Sequence, residues 1–213
     1  MVFFNYRRIP AVTLARQLID EGRLGRIFHY RAKYLQDWTI NPKLPQGGNT
    51  LWRLDADAAG SGVTGDLLAH SIDLALWLAG PIAQVTAMTE TFIKERRLQD
   101  DPDTVKPVAI DDACAFLARF ANGALGHIEG GWASPPGVWR TRLELTGDGG
   151  MLEWDSENDA PVTQLMANAE GNGYTRTPGS PLAPSDNPYT AELGHFLHCL
   201  ESGDPLRVTP HDA

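Results

Sequence analysis

Only two cysteines, Cys114 and Cys199, occur in 213 residues, too few for a disulfide framework or a cysteine-based zinc site. Both stand in apolar patterns and read as buried thiols in a reducing compartment, which makes the cytoplasm the expected location. Long apolar runs are missing as well. No stretch approaches the roughly 20 residues needed to span a bilayer, and the opening Met1-Val2-Phe3-Phe4-Asn5-Tyr6-Arg7-Arg8 lacks the charged-then-apolar order of a signal peptide. Positive charge is scarce: 18 Lys and Arg face 27 Asp and Glu, a net charge of −9. A phosphate backbone would be repelled on average. The densest basic run, Lys94-Glu95-Arg96-Arg97, reads as a solvated strand end. Neither a membrane nor a nucleic acid is an expected partner.

What is present is ordinary globular material, 42% apolar and 21% charged, enough to bury a sizeable core in one large domain spanning residues 1–213. Pro10 opens a helical pattern through Glu21, with Val12, Ala15, Leu18 and Ile19 at helical spacing and Gly22 closing it. Residues 26–37 read as a strand marked by Ile27, Tyr30, Tyr34 and then Trp38. Residues 39–61, rich in Gly and Pro, form a long loop of the kind that usually serves a site. Gly62 to Ala79 is the strongest helix, closed by Gly80-Pro81. Strand patterns follow at 82–94, 109–120, 123–133, 139–146, 150–155 and 161–167, with turn signals at Asn122-Gly123 and Gly147-Asp148-Gly149-Gly150. Residues 168–187 read as loose, and Tyr189 to Cys199 as a helix with Leu193, Phe196, Leu197 and Leu200 on one face. The fold class is α+β, a mostly antiparallel open sheet with flanking helices. The chain starts close to its first helix and stops at Val208–Ala213 in what reads as another, so both ends are expected to be cuts.

Gly60-Ser61-Gly62-Val63-Thr64-Gly65 matches the G-x-G-x-x-G dinucleotide pattern in letters alone. That fingerprint needs a buried strand just before it, so that the turn aims a helix N-terminus at a pyrophosphate. The preceding Arg53 to Ala59 is no such strand, and Asp66 would set a negative charge beside the phosphates. The glycines read instead as a loop that brings backbone into a crowded helix start.

Inside the helix Gly62–Ala79, Asp66, His70 and Asp73 recur at i, i+4 and i+7 and share a face, with Leu68, Ile72, Ala75 and Leu76 facing the core. Burying carboxylates beside an imidazole is costly unless the groups are paired or used. Three readings stand at this level: a satisfied core pair with a solvated Asp73, a metal site, or an acid/base pair in which Asp66 supports His70. Trp38 at a strand end and Arg53 in the long loop face this helix and are candidate substrate contacts, a ring and a donor, with core or rim packing for Trp38 and a surface ion pair for Arg53 as the alternative readings. His195 and His198 read as packing or exposed residues, and His127 as a strand residue.

The run Gly62-Val63-Thr64-Gly65-Asp66-Leu67-Leu68-Ala69-His70-Ser71-Ile72-Asp73-Leu74 resembles the D-x-x-x-H-x-x-D helix of the glucose–fructose oxidoreductase/inositol dehydrogenase (Gfo/Idh/MocA) family. Asn5-Tyr6-Arg7-Arg8, Glu21-Gly22-Arg23-Leu24-Gly25, Trp52-Arg53, Ile110-Asp111-Asp112-Ala113 and Phe120-Ala121-Asn122-Gly123 resemble further segments of its second domain, in the same order. The resemblance implies a substrate-binding and oligomerisation domain of an enzyme that oxidises a secondary alcohol of a sugar or cyclitol. It implies Asp66 and His70 as the catalytic pair and Asp73 as a substrate-contacting acid. NAD or NADP would be bound mainly by a Rossmann domain, which would also supply the family's Glu-Lys-Pro lysine, and the domain alone is expected to be inactive. Two rivals are a non-catalytic sheet-forming oligomerisation module and a metal-dependent isomerase or hydrolase half-domain.

Overall fold

The computed structural model describes residues 3–48, 51–157, 163–167, 174–178 and 187–206. A short 3-10 turn, Asn5–Arg8, leads into α1 (Pro10–Asp20). Pro10 occupies the first turn, where its missing N–H costs nothing, and Ala11, Val12, Ala15 and Leu18 form the buried stripe. After β1 (Ile27–Leu35) the long loop holds two small pieces of structure, a 3-10 turn at Trp52–Leu54 and the one-turn α2 (Ala56–Ala59). The central helix α3 (Val63–Ala79) begins one residue after Gly62 and stops at Gly80, whose N–H bonds back to Leu76. Then come β2 (Ile82–Glu90), β3 (Glu95–Arg97), β4 (Val105–Pro107), β5 (Ala113–Phe120), β6 (Leu125–Gly131), β7 (Arg140–Gly147), β8 (Gly150–Asp155), β9 (Thr163–Ala167), β10 (Tyr174–Pro178) and α4 (Pro188–Ser202).

Eight strands make one sheet in the order β10-β9-β8-β7-β1-β6-β5-β2. Every pairing within it is antiparallel except β1 with β6. The three-residue loop Ala121-Asn122-Gly123 joins β5 to β6, closed by the Phe120 N–H on the Ala124 carbonyl, with Gly123 at φ 90°. Asn122 also donates to the carbonyl of Ala79, so the hairpin closes the C-terminus of α3. One sheet face is covered by α3 and α1. In β5, Cys114, Phe116, Ala118 and Phe120 point inward while Ala115, Leu117 and Arg119 point out, the alternation a one-sided sheet requires. The core between them includes Val12, Tyr30, Leu68, Ala75, Ile128 and Leu145, all fully buried.

Several expectations need correction. Residues 174–178, inside the stretch read as loose, pair with β9; the polar, Gly-rich composition around them hid a short edge strand. The remainder of 168–187 up to 186, and the closing 208–213, lie outside the described residues. Arg96 is not solvated. It is 1% exposed and donates to the carbonyls of Thr39, Asn41 and Leu44, so the β3–β4 hairpin holds down the start of the long loop. Burial pushes its guanidinium down from the ordinary arginine range, and the nearby Asp112 carboxylate opposes that. Leu76 faces out, and the core side of α3 is made by Val63, Leu67, Leu68, Leu74, Ala75 and Leu78, with Ser71 buried among them. On α4 the buried residues are Glu192 and Cys199, whereas Leu193, Leu197 and Leu200 are exposed.

Candidate active site

The start of α3 is built around an aspartate that the glycine pattern does not contain. Asp111 accepts from the backbone N–H groups of Gly62 (2.7 Å) and Thr64 (2.8 Å) and from the Thr64 hydroxyl (2.7 Å). Its own carbonyl takes the Val63 N–H. A Cβ on Gly62 would lie 2.0 Å from that carbonyl oxygen, which is why glycine stands there. The helix N-terminus that would receive a phosphate therefore already carries a carboxylate of its own chain. The described residues do not fit a dinucleotide's pyrophosphate at this point.

From this fixed start, α3 presents Asp66 and His70 to an open cleft of about 700 Å³, within the usual range for small-molecule sites. Asp73, one turn further on, does not reach it. Its carboxylate is buried and bound by Arg7, with the guanidinium Nε at 2.9 and 3.1 Å from the two oxygens and a further N–H at 2.5 Å. The structure thus separates the expected trio: Asp66 and His70 line the cleft, and Asp73 ties the 3-10 turn to α3. Among the described residues no three His, Cys, Asp or Glu side chains come together as a ligand set.

His70 is held by rings rather than by Asp66. Tyr6 stacks on it with centroids 4.3 Å apart and planes 13° from parallel, and Phe4 meets it edge-on at 6.1 Å. The Tyr6 and Tyr34 hydroxyls share a hydrogen bond, and Gln36 donates to Tyr34. Nδ1 of His70 is buried without a hydrogen-bond partner, which leaves Nε2 as the nitrogen available to a substrate. Burial lowers the imidazole's proton affinity below its ordinary value, while the Asp66 carboxylate raises it in part. Asp66 makes its hydrogen bond to Arg53 Nε at 3.3 Å, and Arg53 lies over the Trp52 ring at 4.5 Å. Asp66 therefore acts on His70 through space.

Trp38 and Arg53 both line the cleft, and Trp38 leans on the buried Trp132. Sequence reasoning missed Tyr6, Tyr34, Gln36, Trp139 and Tyr189, which line it too. For two of them a signal exists: Tyr34, Gln36 and Trp38 alternate along β1 and its extension, so one inward residue predicts the others. Trp139 and Tyr189 come from a loop and from α4, and nothing local marks them. His195 lies half-buried beside Cys199, His198 pairs with Asp204 on the surface, and His127 is an exposed residue of β6.

The family model of the GFO/IDH/MocA C-terminal domain matches residues 12–153. The chain belongs to this family. Levoglucosan dehydrogenase of Pseudarthrobacter phenanthrenivorans is 45% identical over 140 residues, 61% of this chain and 35% of that protein. Inositol 2-dehydrogenase of Rhizobium meliloti is 24% identical over 214 residues, covering 100% of this chain and 58% of that protein. Levoglucosan dehydrogenase solved with NADH and levoglucosan superposes with a TM-score of 0.84 at 33% identity, over 99% of this chain and 58% of that one. An oxidoreductase domain protein from Kribbella flavida gives the same TM-score, 0.84, at 34% identity, over 98% and 59%. The chain thus spans 35% to 58% of the length of these two curated relatives.

Proposed function

We propose that this chain is the substrate domain of a nicotinamide-dependent dehydrogenase that oxidises a secondary alcohol of a sugar or cyclitol. The observation that carries the reading is His70: half-buried, biased toward its neutral form, stacked on Tyr6, and facing an aromatic-walled cleft beside a carboxylate. A neutral imidazole can take a hydroxyl proton at neutral pH. The imidazolium so formed is stabilised by Asp66, whose bond to Arg53 keeps the carboxylate oriented. Trp38 offers a ring to the substrate's C–H face, and Arg53 a donor to its hydroxyls. Asp73 has no direct substrate role in this scheme; it secures the turn that carries Tyr6.

The hydride acceptor, NAD or NADP, supplies the redox chemistry in the relatives' class of reaction, and here it is assigned to residues of a separate Rossmann domain. Two observations support that division: Asp111 fills the helix N-terminus, and the chain matches only part of each relative. Accordingly the domain by itself is inactive in this reading, and every step given to its own residues is a proton or positioning step. His70→Ala, assayed by sugar oxidation in a polypeptide joining this domain to its nicotinamide-binding partner, should lower turnover by roughly 10²–10⁴-fold, the usual contribution of a general base. Near-normal turnover per folded molecule would end the assignment.

The open sheet face is proposed as a self-association surface. Met88, Leu117 and Leu125 are exposed on it beside the ion pairs Arg31–Glu144 and Arg142–Glu153, a self-complementary mixture. Sedimentation should give a multiple of 23.3 kDa at tens of micromolar; a monomer mass would remove this part.

A further inference from the structure

We propose that Trp139 is a specificity-determining residue, a fixed stacking platform that selects cyclic, uncharged sugars over open-chain polyols, with Asp37 as the residue that positions it. The inference rests on the sugar reading above and narrows its substrate class. Trp139 lines the cleft from the loop between β6 and β7 and is 58% exposed. An exposed indole on a loop would normally sample several rotamers and lose that freedom on binding. Here it is tied down. The indole N–H donates to one oxygen of Asp37 at 2.5 Å, and the Gly137 N–H donates to the other at 2.5 Å, so one carboxylate fixes both the ring and the loop that carries it. The Gly137 N–H, and then the indole, hold the Asp37 carboxyl below the ordinary carboxylate range, so the clamp stays charged at working pH.

The consequence for recognition follows from what the ring has left to offer. Its only polar atom is engaged by Asp37, so the cleft receives π surface and no donor. The next residue, Trp38, presents a second ring, backed by the buried Trp132 at 4.9 Å. Residues 37 and 38 therefore set two aromatic surfaces on one cleft, one directly and one by clamping. Such surfaces fit the C–H face of a pyranose or cyclitol ring. An open-chain polyol must freeze several torsions to present the same face. The charges on the cleft point the same way: Arg53 is paired with Asp66, and His70 is biased toward neutrality, so neither a carboxylate nor a phosphate on the substrate finds an unpaired cation there among the described residues.

The test is a pair of NMR titrations of the 213-residue chain, with methyl β-D-glucopyranoside and with D-glucitol, following the His70 ring and the tryptophan indole resonances. The wild type should bind the ring about 3- to 10-fold tighter than the hexitol, the range expected for one aromatic contact. Trp139→Ala should abolish most of that ratio and Trp139→Phe should keep it. Trp139→Leu, which retains bulk without a π surface, gives the same reading if the alanine variant loosens the loop. Asp37→Ala should shrink the ratio and shift the Trp139 indole proton to the position of a solvent-exposed indole, with Asp37→Asn in between. A ratio unchanged in Trp139→Ala and Trp139→Leu, while His70 still responds to sugar, overturns the platform and leaves the sugar reading intact. A wild type whose His70 responds to neither compound overturns the sugar reading, and this inference with it.

Discussion

Asp66 and Asp73 leave the same helix on the same face, seven residues apart, and each meets an arginine. Their surroundings differ in every other respect. Asp73 is 1% exposed and takes three contacts from Arg7, whose guanidinium also lies over Trp77 at 5.4 Å. Asp66 is 29% exposed and takes one 3.3 Å contact from Arg53, itself 43% exposed on the long loop. The first pair is built from a helix and a short turn packed into the domain. The second has a loop on one side and the cleft on the other. An i, i+4, i+7 spacing thus marks a face and leaves open which of its residues do chemistry; burial and partner rigidity divide it into scaffold and site.

The largest difference between the two pairs should appear in stability. Asp73→Ala leaves the Arg7 charge in a largely buried place without its partner, which costs about 3–5 kcal/mol when a buried pair is broken. Asp66→Ala breaks a partly solvated pair and should cost no more than about 1 kcal/mol. Urea unfolding of both variants measures the contrast. Similar midpoints would mean that the Arg7–Asp73 pair contributes little to holding the 3-10 turn on α3, and the division into scaffold and site would fail.

That division was only half legible in the sequence. The helix, its glycine punctuation, the antiparallel strands and the Asn122-Gly123 turn follow from local chemistry, because period and turn residues are set by a few neighbours. Asp66 and His70 stood out for the same reason, being polar on an otherwise apolar helix. Arg7 could not be matched to Asp73, nor Asp111 to the start of α3, because these partners are 66 and 47–49 residues apart in the chain. Arg96 misled for a related reason: its basic neighbours suggest solvent, and only the fold shows three carbonyls converging on it. The tyrosines around His70 are the most instructive omission. Tyr6 was visible within a recognised segment, yet only the packing of that segment against α3 puts its ring on the imidazole.

A smaller effect sharpens the comparison from the side of the site. The proton affinity of His70 is lowered chiefly by burial and raised in part by the Asp66 carboxylate. Asp66→Asn removes the raising influence and keeps the size of the side chain, so the His70 pKa should fall further below its ordinary value of 6.5. Because the folded pKa is depressed, the unfolded chain binds the proton more readily. Stability from this group is therefore complete above pH 6.5 and declines as the pH falls from there toward the folded pKa. In Asp66→Asn that decline should extend to lower pH, while stability at neutral pH stays close to wild type. An NMR titration of the His70 ring, run beside unfolding curves at several pH values, reads both quantities. A His70 pKa that is unchanged or raised in Asp66→Asn would show that the carboxylate does not act on the imidazole. Asp66 would then join Asp73 as scaffold.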